Sequence, residues 1–188
     1  MILAAGTASR FGSTKQLAEL GGRPLVGHVV ALASAARLVD EVVVVVGHDR
    51  ADVAAAARGT ASVEVAVNVD HEAGQAGSLR VGIRAAVGRR ARVAVILLAD
   101  EPDVAPDAVD HVAGAVLDGV PAARARYEDG PGHPVAFAAE VFDRLLGVEG
   151  DRGARELLGQ LGTLEVPVVG PRPRDIDRPE DLERRRRH

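Results

Sequence analysis

The sequence predicts a single three-layer α/β/α domain built on a mostly parallel mixed sheet. Short apolar runs at residues 2–4, 42–46, 63–67 and 93–98 alternate with stretches whose small and apolar residues recur at helical spacing. Hydrophobic residues make up 47% of the chain and aromatic ones only 2%. The core must therefore be built from Val, Leu, Ile and Ala, the composition of a buried parallel sheet covered by helices. The run at 42–46 is unbroken valine, as a central strand covered on both faces requires. Right-handed crossovers would make these strands parallel and put a ligand site over their carboxyl ends.

Each element has a local reason. Ile2, Leu3 and Ala4 open the chain as a strand. Pro24 begins the first long helix, with Leu25, Val26, Val29, Val30 and Leu32 on its inner side. Asp49 is expected to cap a second helix after the Gly47-His48 turn, and Ser78 a third running over 79–87. After Asp100 the rhythm changes. A helix is expected over 106–117, then strands at 122–127 and 134–138 that form a hairpin or a pair of edge strands around the polar segment 128–133. Helices follow near 140–146 and 152–160, residues 164–168 return to the sheet, and a last helix starts at Pro179. The antiparallel element belongs to this second half.

Composition excludes several classes of function. A formal net charge of −4 argues against broad binding to nucleic acid, and the basic run at 184–187 reads as a solvated helix end. With no cysteine there is no disulfide framework, thiolate metal site or cysteine nucleophile. No apolar run approaches bilayer length, and the first strand starts so early that no signal peptide precedes it, so a cytoplasmic protein with no membrane partner is expected. The length gives one domain, residues 1–188, with no linker.

Lys15 is the only lysine among 23 cationic side chains. It ends a stretch rich in small residues, Leu3-Ala4-Ala5-Gly6-Thr7-Ala8-Ser9-Arg10-Phe11-Gly12-Ser13-Thr14-Lys15. An ammonium on a flexible stem suits a moving phosphate, whereas a guanidinium fork fixes one geometry. Small residues free backbone N–H groups to converge on an anion, with Arg10 and Lys15 as countercharge. The segment fits a phosphate cradle, and it fits an ordinary strand-to-helix turn equally. It is neither a Walker A loop nor G-x-G-x-x-G.

Asp100 stands where the apolar run 93–98 emerges, and Pro102 turns the chain away. A Mg²⁺ ion needs only one or two protein carboxylates when a substrate supplies phosphate oxygens, and Asp100 suits that task. Asp177 admits two roles: with Glu180 it matches a capping box before Pro179, and it is also a partner for Asp100 if its loop passes the sheet rim. Asn68 begins a polar loop, through Gly74, to the helix start at Ser78, and has donor and acceptor groups for a base or ribose. His133, in Gly132-His133-Pro134, and Asp151 with Arg152, in Gly150-Asp151-Arg152-Gly153, are further polar candidates, each also readable as structural.

Taken in order, these segments resemble the molybdenum cofactor nucleotidyltransferase family, of the wider GT-A-like, Rossmann-like nucleotidyltransferases. The segments carrying the resemblance are Leu3-Ala4-Ala5-Gly6 through Arg10-Phe11-Gly12 to Lys15-Gln16-Leu17, Gly74-Gln75-Ala76-Gly77-Ser78-Leu79, Leu98-Ala99-Asp100, Gly132-His133-Pro134, Gly150-Asp151-Arg152-Gly153-Ala154 and Asp175-Ile176-Asp177. The Ala-Ala-Gly form of the first loop looks like the cytidylyltransferase branch.

The resemblance implies a Mg²⁺-dependent enzyme that joins CMP from CTP to the phosphate of molybdopterin and releases pyrophosphate. It implies catalytic roles for Arg10, Lys15 and Asp100, metal ligation by Asp100 and Asp177, and nucleotide contacts from Leu3, Ala4, Ala5, Gly6, Lys15, Asn68, Gly74 and Ser78. His133, Asp151 and Arg152 would face the acceptor. Residues 1–100 would form the nucleotide-binding half and 101–188 the acceptor-binding half, with a molybdenum hydroxylase as a partner for the product. Glu101 departs from the pattern by adding a negative charge beside Asp100. The family's other roles, an NAD(P)H-dependent reductase of a nicotine-derived pigment and a cofactor-carrying chaperone without turnover, are the alternatives.

Overall fold

The structure is a computed structural model that describes residues 1–6, 11–148 and 153–186. The first half comprises β1 (Ile2–Ala4), β2 (Glu19–Leu20), β3 (Arg23–Pro24), α1 (Leu25–Ala35), β4 (Val43–Val46), α2 (Arg50–Arg58), β5 (Glu64–Val67), α3 (Gln75–Gly88) and β6 (Val93–Leu98). The second comprises α4 (Pro106–Leu117), β7 (Ala122–Tyr127), β8 (Gly130–Ala138), α5 (Phe142–Leu146), α6 (Gly153–Gln160), β9 (Leu164–Pro167) and α7 (Pro179–Arg186).

Seven strands form one sheet in the order β5-β4-β1-β6-β8-β7-β9. β5, β4, β1 and β6 are parallel, β8 is antiparallel to both β6 and β7, and β9 is parallel to β7. The expected mixed sheet is thus present, with β8 the one strand in it that runs against the others among the described residues. It is interior, not an edge. β4 explains its own sequence: Val44 and Val46 pack with α1 and α2 on one face, while Val45 touches Gly82 of α3 on the other. An unbroken valine run is what a strand covered on both sides needs.

The helices form the two outer layers. α1, α2 and the start of α4 close one apolar cluster around Ile2, Ala4, Val44 and Leu97. On the opposite face α3, α5 and α6 close another around Ala94, Ile96 and Phe137. Among the described residues no helix is long and apolar enough to cross a membrane.

Several local expectations are corrected. β2 and β3 form a small hairpin not foreseen from sequence; Gly21 and Gly22 have φ of 58° and 80°, the positive values a two-residue hairpin turn demands. Ser78 caps nothing: α3 already starts at Gln75, after Gly74 at φ 102°, and Ser78 lies buried inside the helix. Asp49 occupies the N-cap of α2 but in left-handed backbone, and its carboxylate accepts a hydrogen bond from Thr14 Oγ1 instead of capping. The basic end of α7 is not merely solvated, because Arg185 pairs with Asp103 at 2.5 Å.

Candidate active site

The site lies over the carboxyl ends of β1 and β6, where the parallel half of the sheet delivers its loops. Lys15 opens a single 3₁₀ turn, Lys15–Leu17. The neighbouring Gln16 is buried and donates from Nε2 to the Gly6 carbonyl at 2.9 Å, which ties this turn to the end of β1. Lys15 Nζ then donates to Asp100 Oδ2 at 2.7 Å and to Asp177 Oδ1 at 2.8 Å. One ammonium therefore joins three loops from the start, middle and end of the chain. Burial by itself would lower the Lys15 pKa, but the charge and hydrogen bonds of Asp100, with those of Asp177, outweigh it and hold the pKa above its ordinary value.

Asp177 reaches this position because of the residue before it. Ile176 is fully buried with Leu25 and Leu182, and its N–H donates to the Asp100 carbonyl at 3.0 Å. With Ile176 anchored inward, Asp175 and Asp177 remain exposed on either side of it. The capping box expected from Asp177 and Glu180 does not form. Asp181 does that work, its Oδ2 accepting from the N–H groups of Asp177 and Arg178 at 3.1 and 2.9 Å. The Asp177 carboxylate is thereby left to face Lys15.

Glu101 turns inward beside this cluster and is 5% exposed. His133 Nδ1 lies 3.2 Å from its carboxylate, close enough to donate a hydrogen bond to it in the Nδ1–H tautomer. Tyr127 donates its hydroxyl to the His133 carbonyl at 2.7 Å, and burial with the Glu101 charge pushes the Tyr127 pKa up to about 12. Asp175 meets Glu101 from the other side. Partial burial of its carboxyl group, a hydrogen bond with Glu101, and the charges of Glu101, Asp100 and Asp177 push its pKa up to about 6. Neither Glu101 nor Asp175 was singled out for a role by sequence, since only folding brings them together.

A cleft of about 660 Å³ adjoins these groups. Its floor is apolar, formed by Leu3, Ile96, Val135 and Phe137, and its walls carry Glu101, Asp175 and Asp177 together with Arg124, Arg172 and Arg174. His133 lines it as expected. The three arginines had no sequence motif to mark them. Asn68 and Ser78 are not among its lining; both are buried, with Asn68 Nδ2 donating to Ser78 Oγ at 3.0 Å and Asn68 Oδ1 accepting from the Asp70 N–H at 3.1 Å. They hold the 68–78 loop against α3. Ala4 and Ala5 are buried at the end of β1, and the Ala5 methyl faces Gly47 and the His71 side chain over it. Arg10, Asp151 and Arg152 lie outside the described residues.

The chemistry available is cation binding next to an apolar-floored cleft. Oxygens of Asp100 and Asp177 already converge on one cation, the Lys15 ammonium, so the pair fits a shared divalent ion. No group of three or more His, Cys, Asp or Glu side chains suited to a metal occurs among the described residues. The remaining ligands of such an ion would have to come from a substrate or water.

Several known proteins are similar to this chain. Residues 1–166 match the family described as the MobA-like NTP transferase domain. The crystal structure of Rv0371c from Mycobacterium tuberculosis H37Rv superposes with a TM-score of 0.82 at 32% identity, covering 100% of this chain and 96% of that one. A manganese complex of Rv0371c gives 0.76 at 30% identity, over 97% and 94% of the two chains. Purine catabolism protein PucB of Bacillus subtilis (strain 168) is 38% identical over 124 residues, 63% of this chain and 58% of its own length. A 3-deoxy-manno-octulosonate cytidylyltransferase of Anaeromyxobacter dehalogenans (strain 2CP-C) is 36% identical over 118 residues, 59% and 46% of the two lengths. The chain spans about half the length of these curated relatives.

Proposed function

Since the chain belongs to the MobA-like NTP transferase family, we propose that it transfers CMP from CTP to the phosphate of molybdopterin and releases pyrophosphate. The observation that carries this reading is the Lys15 ammonium held between Asp100 and Asp177, the second of which lines the cleft. It is a cation store beside an acceptor pocket, which is what phosphoryl chemistry between two anions requires.

In this reading the triphosphate lies over residues 3–6 and the 68–78 loop, with Leu3, Ala4, Ala5, Gly6 and Gly74 next to it. Asn68 and Ser78 act by fixing that loop. An oxygen of the acceptor phosphate attacks the α-phosphorus in line. The bond to the β-phosphate oxygen breaks, and pyrophosphate leaves with its negative charge. Lys15 leaves the two carboxylates and follows the triphosphate, neutralising charge on the leaving group together with Arg10. No covalent intermediate on the protein is needed.

Asp100 and Asp177 would hold a divalent ion, Mg²⁺ in the cell, which when bound supplies charge neutralisation at the triphosphate. The manganese-bound relative favours such a site. The acceptor occupies the cleft against His133, with Asp151 and Arg152 as further proposed contacts from the acceptor-binding half, residues 101–188, and a molybdenum hydroxylase would receive the product. The cytidylyltransferase among the relatives and the Ala4-Ala5-Gly6 loop favour CTP over other nucleotides.

One experiment tests base and acceptor together. Purified protein is incubated with each NTP, Mg²⁺ and molybdopterin, and both pyrophosphate and the dinucleotide product are measured. Dinucleotide formed fastest from CTP supports the proposal; absence of product with every NTP would reject the acceptor.

A further inference from the structure

The cleft has a polarity that nucleotide transfer alone does not explain. Its lining includes the carboxylates of Glu101, Asp175 and Asp177 and also three guanidiniums from two separate parts of the chain. Arg124 comes from β7 and is fixed by Glu165, whose Oε1 accepts from its Nε at 3.1 Å and its Nη2 at 2.5 Å. Arg172 and Arg174 come from the segment that leads to Asp175 and Asp177. Pro173 between them is buried, so both arginines are left on the exposed side.

Arg172 is held in place by contacts that do not pair its charge among the described residues. Its backbone N–H donates to Asp129 Oδ1 at 2.7 Å. Its stem lies across Gly132 so closely that a Cβ built on that glycine would meet Arg172 Cγ and Cδ at 2.9 Å, with the Tyr127 ring at 3.3 Å. Gly132 is therefore a seat for the arginine stem, and no side chain larger than hydrogen fits there without moving it. No carboxylate among the described residues pairs with the Arg172 or Arg174 guanidinium. A guanidinium whose stem is seated on Gly132, which lines a cleft and has no carboxylate partner among the described residues, offers the planar double-donor geometry that phosphate accepts.

The geometry points to Arg172, with Arg174 beside it and Arg124 behind, as the binding site for the anionic group of the acceptor, a phosphomonoester. This rests on the nucleotidyl-transfer reading and adds to it a division of labour: Lys15 serves the triphosphate, and the arginines serve the acceptor. The same segment, 172–177, carries both the acceptor arginines and Asp177. Acceptor binding and the cation site are thus mechanically joined through the buried Pro173 and Ile176.

Two measurements test it. In steady state with CTP, Mg²⁺ and molybdopterin, Arg172→Ala should raise KM for the acceptor by about tenfold to a hundredfold, the effect of losing a charged hydrogen bond, with KM for CTP unchanged. Arg172→Lys should restore part of it. Gly132→Ala keeps the charge but displaces the stem, and should raise the same KM by a smaller factor. Independently of turnover, arginine Nε–H resonances are followed by NMR during titration with inorganic phosphate at constant ionic strength. The resonance absent from Arg172→Ala should shift and saturate in the wild-type protein. A KM for CTP that rises with that of the acceptor, or an Arg172 resonance indifferent to phosphate, would overturn the assignment. If wild type formed no dinucleotide yet the Arg172 resonance saturated with phosphate, the transfer reading would fall and the anion site would stand.

Discussion

Lys15 and Asp177 are separated by 162 positions in the chain, yet Nζ and Oδ1 lie 2.8 Å apart, and the same ammonium is 2.7 Å from Asp100. The contact is built from both ends. Gln16 fixes the lysine turn to the Gly6 carbonyl, and buried Ile176 fixes the Asp177 loop to the Asp100 carbonyl. In this state the two carboxylates proposed to hold a metal already share one cation of the protein's own. An ammonium on a flexible stem can be exchanged for a harder, more highly charged ion as the triphosphate arrives.

Removing that internal cation should therefore change metal binding in the absence of nucleotide. Lys15→Ala removes the ammonium that sits between the Asp100 and Asp177 oxygens, so Mn²⁺ no longer competes with it and should bind several-fold more tightly to the variant than to the wild type. Electron paramagnetic resonance of free Mn²⁺ measures this directly. Equal or weaker affinity in Lys15→Ala would mean that ammonium and metal do not share a position.

In catalysis the same substitution acts in the opposite direction. Lys15→Ala and Asp100→Asn should each lower kcat by roughly two to three orders of magnitude, comparable to losing one preorganised transition-state contact. Circular dichroism and thermal melts should show the fold intact, since Lys15 and Asp100 sit at the ends of elements and outside the apolar clusters. Wild-type rates in either folded variant would remove that residue from the mechanism.

Asp175 should leave a signature in the pH dependence of stability. Its pKa rises from 3.8 to about 6 in the folded protein, so between these values the native state keeps a proton that the unfolded chain has released. Its contribution is fully present below about pH 4 and is lost as pH rises through 6. Asp175→Asn keeps a donor for Glu101 without the charge. Its melting temperature should exceed that of wild type at pH 8 and match it at pH 4; a difference independent of pH would show that Asp175 does not titrate against its acidic neighbours.

How far the sequence disclosed this site depended on whether a residue's role is local. Asp100 was legible because it ends a buried apolar strand before a proline, and Lys15 because it is the single lysine in a small-residue loop. Asp177 was ambiguous: its spacing to Glu180 fits a capping box, and only the position of Asp181 in the folded chain shows that another carboxylate takes that task. The Glu101–His133–Asp175 contacts link β6, β8 and the 175–177 segment, so no spacing in the sequence encodes them. Arg172 and Arg174 lay in a proline-rich loop with no period, and their meaning comes from Gly132, some forty positions earlier. The β2–β3 hairpin was missed although Gly21-Gly22 signals its turn, because strands of two residues show no alternation.

The last prediction concerns nucleotide choice at the end of β1. Ala5 is 2% exposed, and its methyl shares the space over Gly47 with the His71 side chain, so it sets how closely the 68–74 loop approaches the strand ends. Glycine at position 5 removes that methyl and lets His71 settle inward by about the radius of a carbon, which opens room above residues 4–6 where the base is proposed to lie. A purine gains more from that room than a pyrimidine does. Wild type should prefer CTP to GTP, and Ala5→Gly should narrow the preference. A single pocket contact discriminates by about 1–3 kcal/mol, so the change should be measurable but partial, with the loop held by Asn68 and Ser78 supplying the remainder. Side-by-side kcat/KM values for the two nucleotides decide it: a wild type that prefers GTP, or an Ala5→Gly variant with an unaltered ratio, would overturn the cytidylyl assignment and leave nucleotidyl transfer in place.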